Sequence, residues 1–131
     1  MSGKYMAYVG SYSYTGKAKG ITVFDVDVKN GTFRERCEME VDNSSYVIAS
    51  SDGKTLYSIA DEGVVSFRIL QNGSLARLNS APIRGMRGCH LCTDMEDKYV
   101  FVSGYHDGKT TVLSLNKDGS VGQIVDEVFN K

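Results

Sequence analysis

One stretch of this chain occurs twice and, in part, a third time. The run from Tyr46 to Gly63 reads parallel to the run from His90 to Gly108, and Lys4 to Tyr12 resembles a copy that starts partway through. Lysines that follow a turn fall at Lys4, Lys54 and Lys98, spaced 50 and 44 apart, and later turn glycines fall at Gly31, Gly73 and Gly119, spaced 42 and 46 apart. A period of that size means one supersecondary unit repeated, which restricts the fold more than any other property of the chain.

The content of the unit follows from its punctuation. Asn30-Gly31, Asp52-Gly53, Asn72-Gly73, Asp107-Gly108 and Asp118-Gly119 are strong turn signals, because glycine accepts the positive φ of tight turns and Asn or Asp tolerates it. Between them lie short runs rich in β-branched and aromatic residues: Tyr5–Val9, Ile21–Val28, Tyr46–Ala49, Thr55–Ile59, Val64–Leu70, Tyr99–Val102 and Thr110–Leu115. Ile21–Val28 alternates as a strand with one wet face should. No segment carries a sustained 3.6-residue apolar period with a capping signal. The chain reads as all-β, in units of four antiparallel strands, and such units repeated every ~40–50 residues are β-propeller blades.

The blade count limits the reading. Copies at 4–43, 44–87 and 88–131 amount to one three-stranded blade and two of four strands, about 2.75 blades. A propeller takes roughly 4–8 blades to close. The open blade faces must then pair with remaining blades or with other copies of the chain, since uncovered sheet faces invite aggregation. The chain is therefore expected to be the N-terminal portion of one propeller domain; blades assembled between chains are the alternative.

Composition excludes several functions. Hydrophobic residues at 41% and charged residues at 24% are those of a globular chain. A formal net charge of −1 argues against a nucleic-acid or polybasic membrane binder. No apolar run approaches the ~18 residues that span a bilayer, and the opening residues lack a signal-peptide core. Cys37, Cys89 and Cys92, an odd number, then read as reduced thiols of a cytoplasmic protein.

Several residue series resemble a known family. Tyr8-Val9-Gly10-Ser11-Tyr12, Lys19-Gly20-Ile21-Thr22-Val23-Phe24, Asn72-Gly73-Ser74-Leu75 and Gly88-Cys89-His90-Leu91-Cys92-Thr93-Asp94 are similar, in order and spacing, to the opening of the seven-bladed propeller lactonases, typified by bacterial 6-phosphogluconolactonase. The resemblance implies seven blades, roughly 315 residues at ~45 per blade. It implies a sugar lactone as substrate, hydrolysis of the lactone ester in the pentose phosphate pathway, and no cofactor or metal. A non-enzymatic propeller that binds ligand or protein at its channel mouth is the alternative. The isolated chain is expected to be inactive, because less than half the channel is present.

Candidate site residues follow from the blade pattern and the resemblance together. His90 opens the first strand of the last copy, where Tyr46 stands in the copy before, and the resemblance implies that it faces the channel. A neutral imidazole suits a base acting on water. By the repeat, Gly10-Ser11-Tyr12, Asp61-Glu62-Gly63 and Gly104-Tyr105-His106 are equivalent loops at one end, so Glu62, Tyr105 and His106 are expected to share a mouth with His90. The family often carries an acid at Glu62, which favours it over Asp61. His90 and Glu62 are the catalytic candidates; Tyr105, His106 and Arg87 are the substrate-binding ones. Arg84 and Arg87 lie in Arg84-Gly85-Met86-Arg87-Gly88, and a phosphorylated substrate needs such a cation. The family usually has a small residue at Arg87, so the carry-over fails there, and a solvated linker arginine is the favoured reading of both.

Other signals are set aside. Gly108-Lys109-Thr110 mimics the end of a phosphate-binding loop but joins two strands, where that motif needs a strand and then a helix. Cys89-His90-Leu91-Cys92 has no second ligand pair, so no zinc site is expected. Asn30, Asn43 and Asn72 match the glycosylation pattern but sit in turns or a loop of a chain with no export signal.

Overall fold

The computed structural model describes residues 5–130, which form eleven strands and, within that range, no helix. The strands make three antiparallel sheets in sequence order. The first holds β1 (Tyr5–Gly10), β2 (Gly20–Asp27) and β3 (Thr32–Glu40). The second holds β4 (Val47–Ala49), β5 (Thr55–Ile59), β6 (Gly63–Ile69) and β7 (Leu75–Pro82). The third holds β8 (His90–Thr93), β9 (Tyr99–Ser103), β10 (Lys109–Leu115) and β11 (Val121–Phe129). These are the sheets of partial propeller blades, and the all-β reading holds.

Each of the five Asn/Asp-Gly pairs puts its glycine at positive φ, between 62° and 90°. In the last copy Asp97 stands where Gly53 stands in the second, and it takes the same left-handed conformation at φ 55°.

Pairing also corrects the alignment of the first copy. The amides of Ser11, Ala60 and Gly104 bond the carbonyls of Gly20, Gly63 and Lys109, each closing the end of a second strand against the start of a third. The equivalent positions are therefore Ser11, Ala60 and Gly104, and after them Tyr12, Asp61 and Tyr105. Aligning the first copy on its lysine slips it by one; Lys4 itself lies outside the described residues.

The middle sheet is buried on both faces, with every residue of Thr55–Ile59 and Gly63–Phe67 inaccessible. Leu56, Val65 and Phe67 pack on Ile21, Val23 and Val41 towards the first sheet. Tyr57, Ile59 and Val64 pack on Leu91, Val100, Val102, Leu113 and Val121 towards the third. Polar groups that go in find partners, as burial favours: Ser58 shares a 2.7 Å hydroxyl contact with Ser44, and Ser66 donates to Asn79 Oδ1 at 2.7 Å. The neighbouring Ser45 hydroxyl, by contrast, is buried with no partner among the described residues.

Two joints recur between sheets. Tyr8 on β1 donates to the carbonyl of Gly73 in the next sheet at 2.7 Å, and the equivalent Tyr57 on β5 donates to Gly119 at 2.8 Å. Both acceptors sit in the turn before a fourth strand, so the hydroxyl measures the spacing of neighbouring sheets. A β-bulge lies at the same place in every sheet, between Val23/Phe24, Ser66/Phe67 and Val112/Leu113, and adds local twist. Beside the middle bulge, Asn79 reaches across to Val121, donating to its carbonyl at 2.8 Å and accepting from its amide at 2.9 Å.

Burial pushes the Tyr57 hydroxyl up to about 12 from an ordinary value of 10, with Asp97, Asp52 and Asp118 adding smaller like-charge terms. Its ionised form is thus less favourable in the fold than in the unfolded chain. The stability this confers is intact below pH 10 and is lost as the pH rises through about 12. Tyr57→Phe should cost about 1 kcal/mol in urea unfolding at neutral pH and remove part of the alkaline loss between those pH values. Asn79→Ala, which removes the side-chain partner of both Val121 backbone groups while Ser66 keeps its bonds to the Asn79 backbone, should cost more, about 2–3 kcal/mol in the same measurement.

Candidate functional site at the loop end of the sheets

The ends of β1, β5 and β9 and the starts of β4 and β8 lie at one end of the three sheets, and the loops there carry the chemistry-bearing residues. Close approach brings them together. A Cβ on Gly10 would sit 2.5 Å from the Ser44 carbonyl oxygen, so glycine lets the end of β1 lie against the segment entering β4.

Four loops then close a ring of polar contacts. Arg87 Nη1 bonds Asp61 at 3.0 Å, and its guanidinium lies 5.1 Å from the centre of the Tyr12 ring. Asp61 accepts from Asn43 Nδ2 through both oxygens, at 3.1 and 3.0 Å. Asn43 Oδ1 accepts from the amides of Ser13 at 2.8 Å and Tyr14 at 3.2 Å, which returns the circuit to the loop that carries Tyr12. Asn43 does this in the left-handed conformation, φ 54°. The Ser13 hydroxyl accepts the Asn43 amide at 3.0 Å and locks the same corner.

Asp61, the equivalent of Tyr12, is therefore the acid that meets Arg87. Glu62 lies beside it in the short β5–β6 turn and, with Asp61, Asp42, Arg77 and Ser80, lines a cavity of about 260 Å³ that extends towards the outer strands. His90, the first residue of β8, is exposed and lies against Tyr46, ring centres 4.8 Å apart. Tyr105 and His106 stack on each other at 4.1 Å in the β9–β10 loop. The structure thus joins Arg87 with Tyr12, Asp61 and Asn43, and makes separate aromatic pairs of His90 with Tyr46 and His106 with Tyr105. Among the described residues no group of three or more His, Cys, Asp or Glu side chains is placed to hold a metal ion.

Sequence reasoning names Arg87 only as a substrate-binding candidate and misses the partners it has here. Asp61 is passed over for Glu62 because the family often carries an acid at the latter position; the equivalence of Asp61 to Tyr12 shows only in the strand pairing. Asn43 carried no local signal, because its partners are 18 and 30 residues away. Arg87 is not a freely solvated linker residue: its side chain is 34% exposed and engaged on an edge and a face. A guanidinium has five N–H donors, and those not directed at Asp61 remain for an anionic or carbonyl oxygen.

Residues 6–131 match the family described as lactonase, 7-bladed beta-propeller. The chain belongs to this lactonase family. It is 33% identical over 130 residues to the 6-phosphogluconolactonase of Bacillus subtilis, covering 95% of this chain and 37% of that protein. The 6-phosphogluconolactonase of Formosa agariphila is 30% identical, over 93% of this chain and 36% of its own length. Among solved structures, a candidate 6-phosphogluconolactonase of Bacteroides fragilis superposes with a TM-score of 0.89 at 29% identity, over 99% of this chain and 37% of that one. The periplasmic gluconolactonase of Pseudomonas aeruginosa shares the fold, with a TM-score of 0.85 at 22% identity over 95% of this chain and 38% of that one. This lactonase-family chain thus spans little more than a third of the length of those relatives.

The ring has a measurable signature, since the Arg87 methylene protons next to the guanidinium lie near the Tyr12 ring current. Asp61→Ala should move their NMR shifts toward random-coil values, whereas Glu62→Gln should leave them in place. The stability cost of Asp61→Ala should stay within about 1 kcal/mol, because the pair is solvent-screened.

Proposed function

We propose that this chain contributes the loop end of a sugar-lactone hydrolase acting on a phosphorylated lactone such as 6-phosphogluconolactone. Arg87, held on edge by Asp61 and on its face by Tyr12, is the observation that carries this reading. A guanidinium oriented in this way is ready to take a phosphate or carbonyl oxygen. Family membership and the 6-phosphogluconolactonase relatives support the same substrate class.

In this reading water attacks the ester carbonyl, the carbonyl oxygen gains charge, and the ring C–O bond breaks as the leaving ring oxygen takes up the proton that the base removed from water, giving the open hydroxy acid. His90, exposed on Tyr46, is the base that takes the proton from water; imidazole does this near neutral pH. Arg87 holds the anionic end of the substrate, with Tyr105 and His106 beside the mouth as further contacts. Glu62, which shares a cavity with Asp61 beside the ring, is assigned a supporting electrostatic role at the rim. The chain would work in the cytoplasm, where its unpaired thiols Cys37, Cys89 and Cys92 stay reduced, and would serve the lactone step of the pentose phosphate pathway. Its open sheet faces would pair with further blades.

The test is lactone hydrolysis, followed as acid release at constant pH by the gene product in which this chain occurs. The expected result is acceleration over spontaneous ring opening, reduced about 100-fold or more by His90→Ala. A rate equal to the spontaneous one would overturn the reading.

A further inference from the structure

The phosphate-loop look-alike Gly108-Lys109-Thr110 has a use that its motif does not suggest. Lys109 is 6% exposed, and a buried ammonium needs partners for its charge and its three N–H bonds. Its Nζ donates to the Arg84 carbonyl oxygen, pairs with Glu127 Oε2 at 3.1 Å, and lies 6.0 Å from the centre of the Phe129 ring. It is turned inward, away from any ligand. Its target is the strap Arg84–Gly88, the segment that carries Arg87.

Two further contacts fasten the same strap. Asp107 Oδ2 accepts the Met86 amide at 3.1 Å. That bond, with a lesser one from the Lys109 amide, holds the Asp107 carboxyl below its ordinary range. The strap also packs too closely for side chains. A Cβ on Gly85, at φ +96°, would sit 2.7 Å from Asp107 Oδ2 and 3.1 Å from Lys109 Nζ, and one on Gly88 would sit 2.4 Å from Val102 Cγ1. The outer strand joins in, since Glu127 on β11 also pairs with Arg84 at 3.6 Å. Residues 84, 85, 86 and 88 are thus each pinned to the third sheet, and Arg87 projects from between them towards Asp61 and Tyr12 of the other two.

We propose that Lys109 and Asp107 are positioning residues for Arg87: they bolt its strap to the third sheet and so fix where the guanidinium meets an anionic ligand at the mouth. The ligand half of this statement rests on the reading above; the positioning half does not. Lys109 itself touches no ligand.

The experiment uses the 131-residue chain in NMR, with the Arg87 methylene shifts near Tyr12 as the readout and Arg36, paired with Asp25 at 2.9 Å in the first sheet, as an internal control. Lys109→Met should shift the Arg87 signals and the amides of residues 84–88 while those of Arg36 stay unchanged. Asp107→Asn, at a half-buried position, should produce the same pattern more weakly and provides the test if Lys109→Met does not fold. Native-like Arg87 signals in a folded Lys109→Met and in Asp107→Asn would overturn the proposal.

A second arm titrates 6-phosphogluconate, the open-chain product. Lys109→Met should weaken its binding about tenfold with Arg87 present and have no further effect in the Arg87→Ala background. An equal loss in both backgrounds would show a general structural role and overturn positioning through Arg87. This titration is read in the gene product in which the chain occurs, since the chain alone holds less than half the channel. Failure of that unmodified protein to bind counts against the ligand reading alone, and the NMR arm then decides the positioning.

Discussion

The middle sheet has no wet face, and the rest of the molecule is arranged around that requirement. A strand such as Thr55–Ile59, apolar or hydroxyl-bearing at every position, cannot stand with water on either side. It forces a sheet onto each of its faces, and the two cores follow from it. The polar side chains caught inside are then obliged to find partners. Ser66 and Asn79 meet that demand, and Asn79 spans the joint to the backbone of Val121. Burial at the centre and polar cross-links between sheets are thus one constraint met in two ways.

The loop end depends on the same scaffold. Tyr12, Asn43, Asp61 and Arg87 come from loops spread over the sequence, and nothing local holds them together. The sheets place their ends side by side, Gly10 permits close approach, and the side chains close the circuit. Arg87 is approached from two directions: its guanidinium meets residues of the first and second sheets, and the backbone just before it, at Arg84 and Met86, is bonded by Lys109 and Asp107 of the third. A cation held this way loses little conformational freedom on meeting a ligand, which is what preorganisation means in energetic terms.

How much of this was legible depended on the range of the interactions. Turns are local, so the Asn/Asp-Gly pairs announced themselves, and Thr55–Ile59 could be bounded from its residues alone. The outer strands were harder. Thr32–Glu40 places Arg34, Glu35, Arg36, Glu38 and Glu40 in one strand, because it lies at the margin of its sheet and little of it is buried. Burial is what normally imprints an alternating pattern. The site was less legible still. The preference for Glu62 over Asp61 comes from the family resemblance, and a resemblance in residue type at one position does not say which side chain meets Arg87. Lys109 looked like part of a ligand loop because a motif records residue types and spacing but not the direction in which a side chain turns.

The tyrosine joint makes the sheets interchangeable parts. The middle sheet carries both halves of the fitting, a hydroxyl on its second strand and a turn carbonyl before its fourth, so one mating rule serves both neighbours. Duplicating a gene segment of this period duplicates the connector with it, and the angle between parts need not be solved anew. The third sheet departs from the rule, because Phe101 occupies the place of Tyr8 and Tyr57. Any part mated to that face must be gauged by shape alone, which makes it the junction of the series most tolerant of slippage.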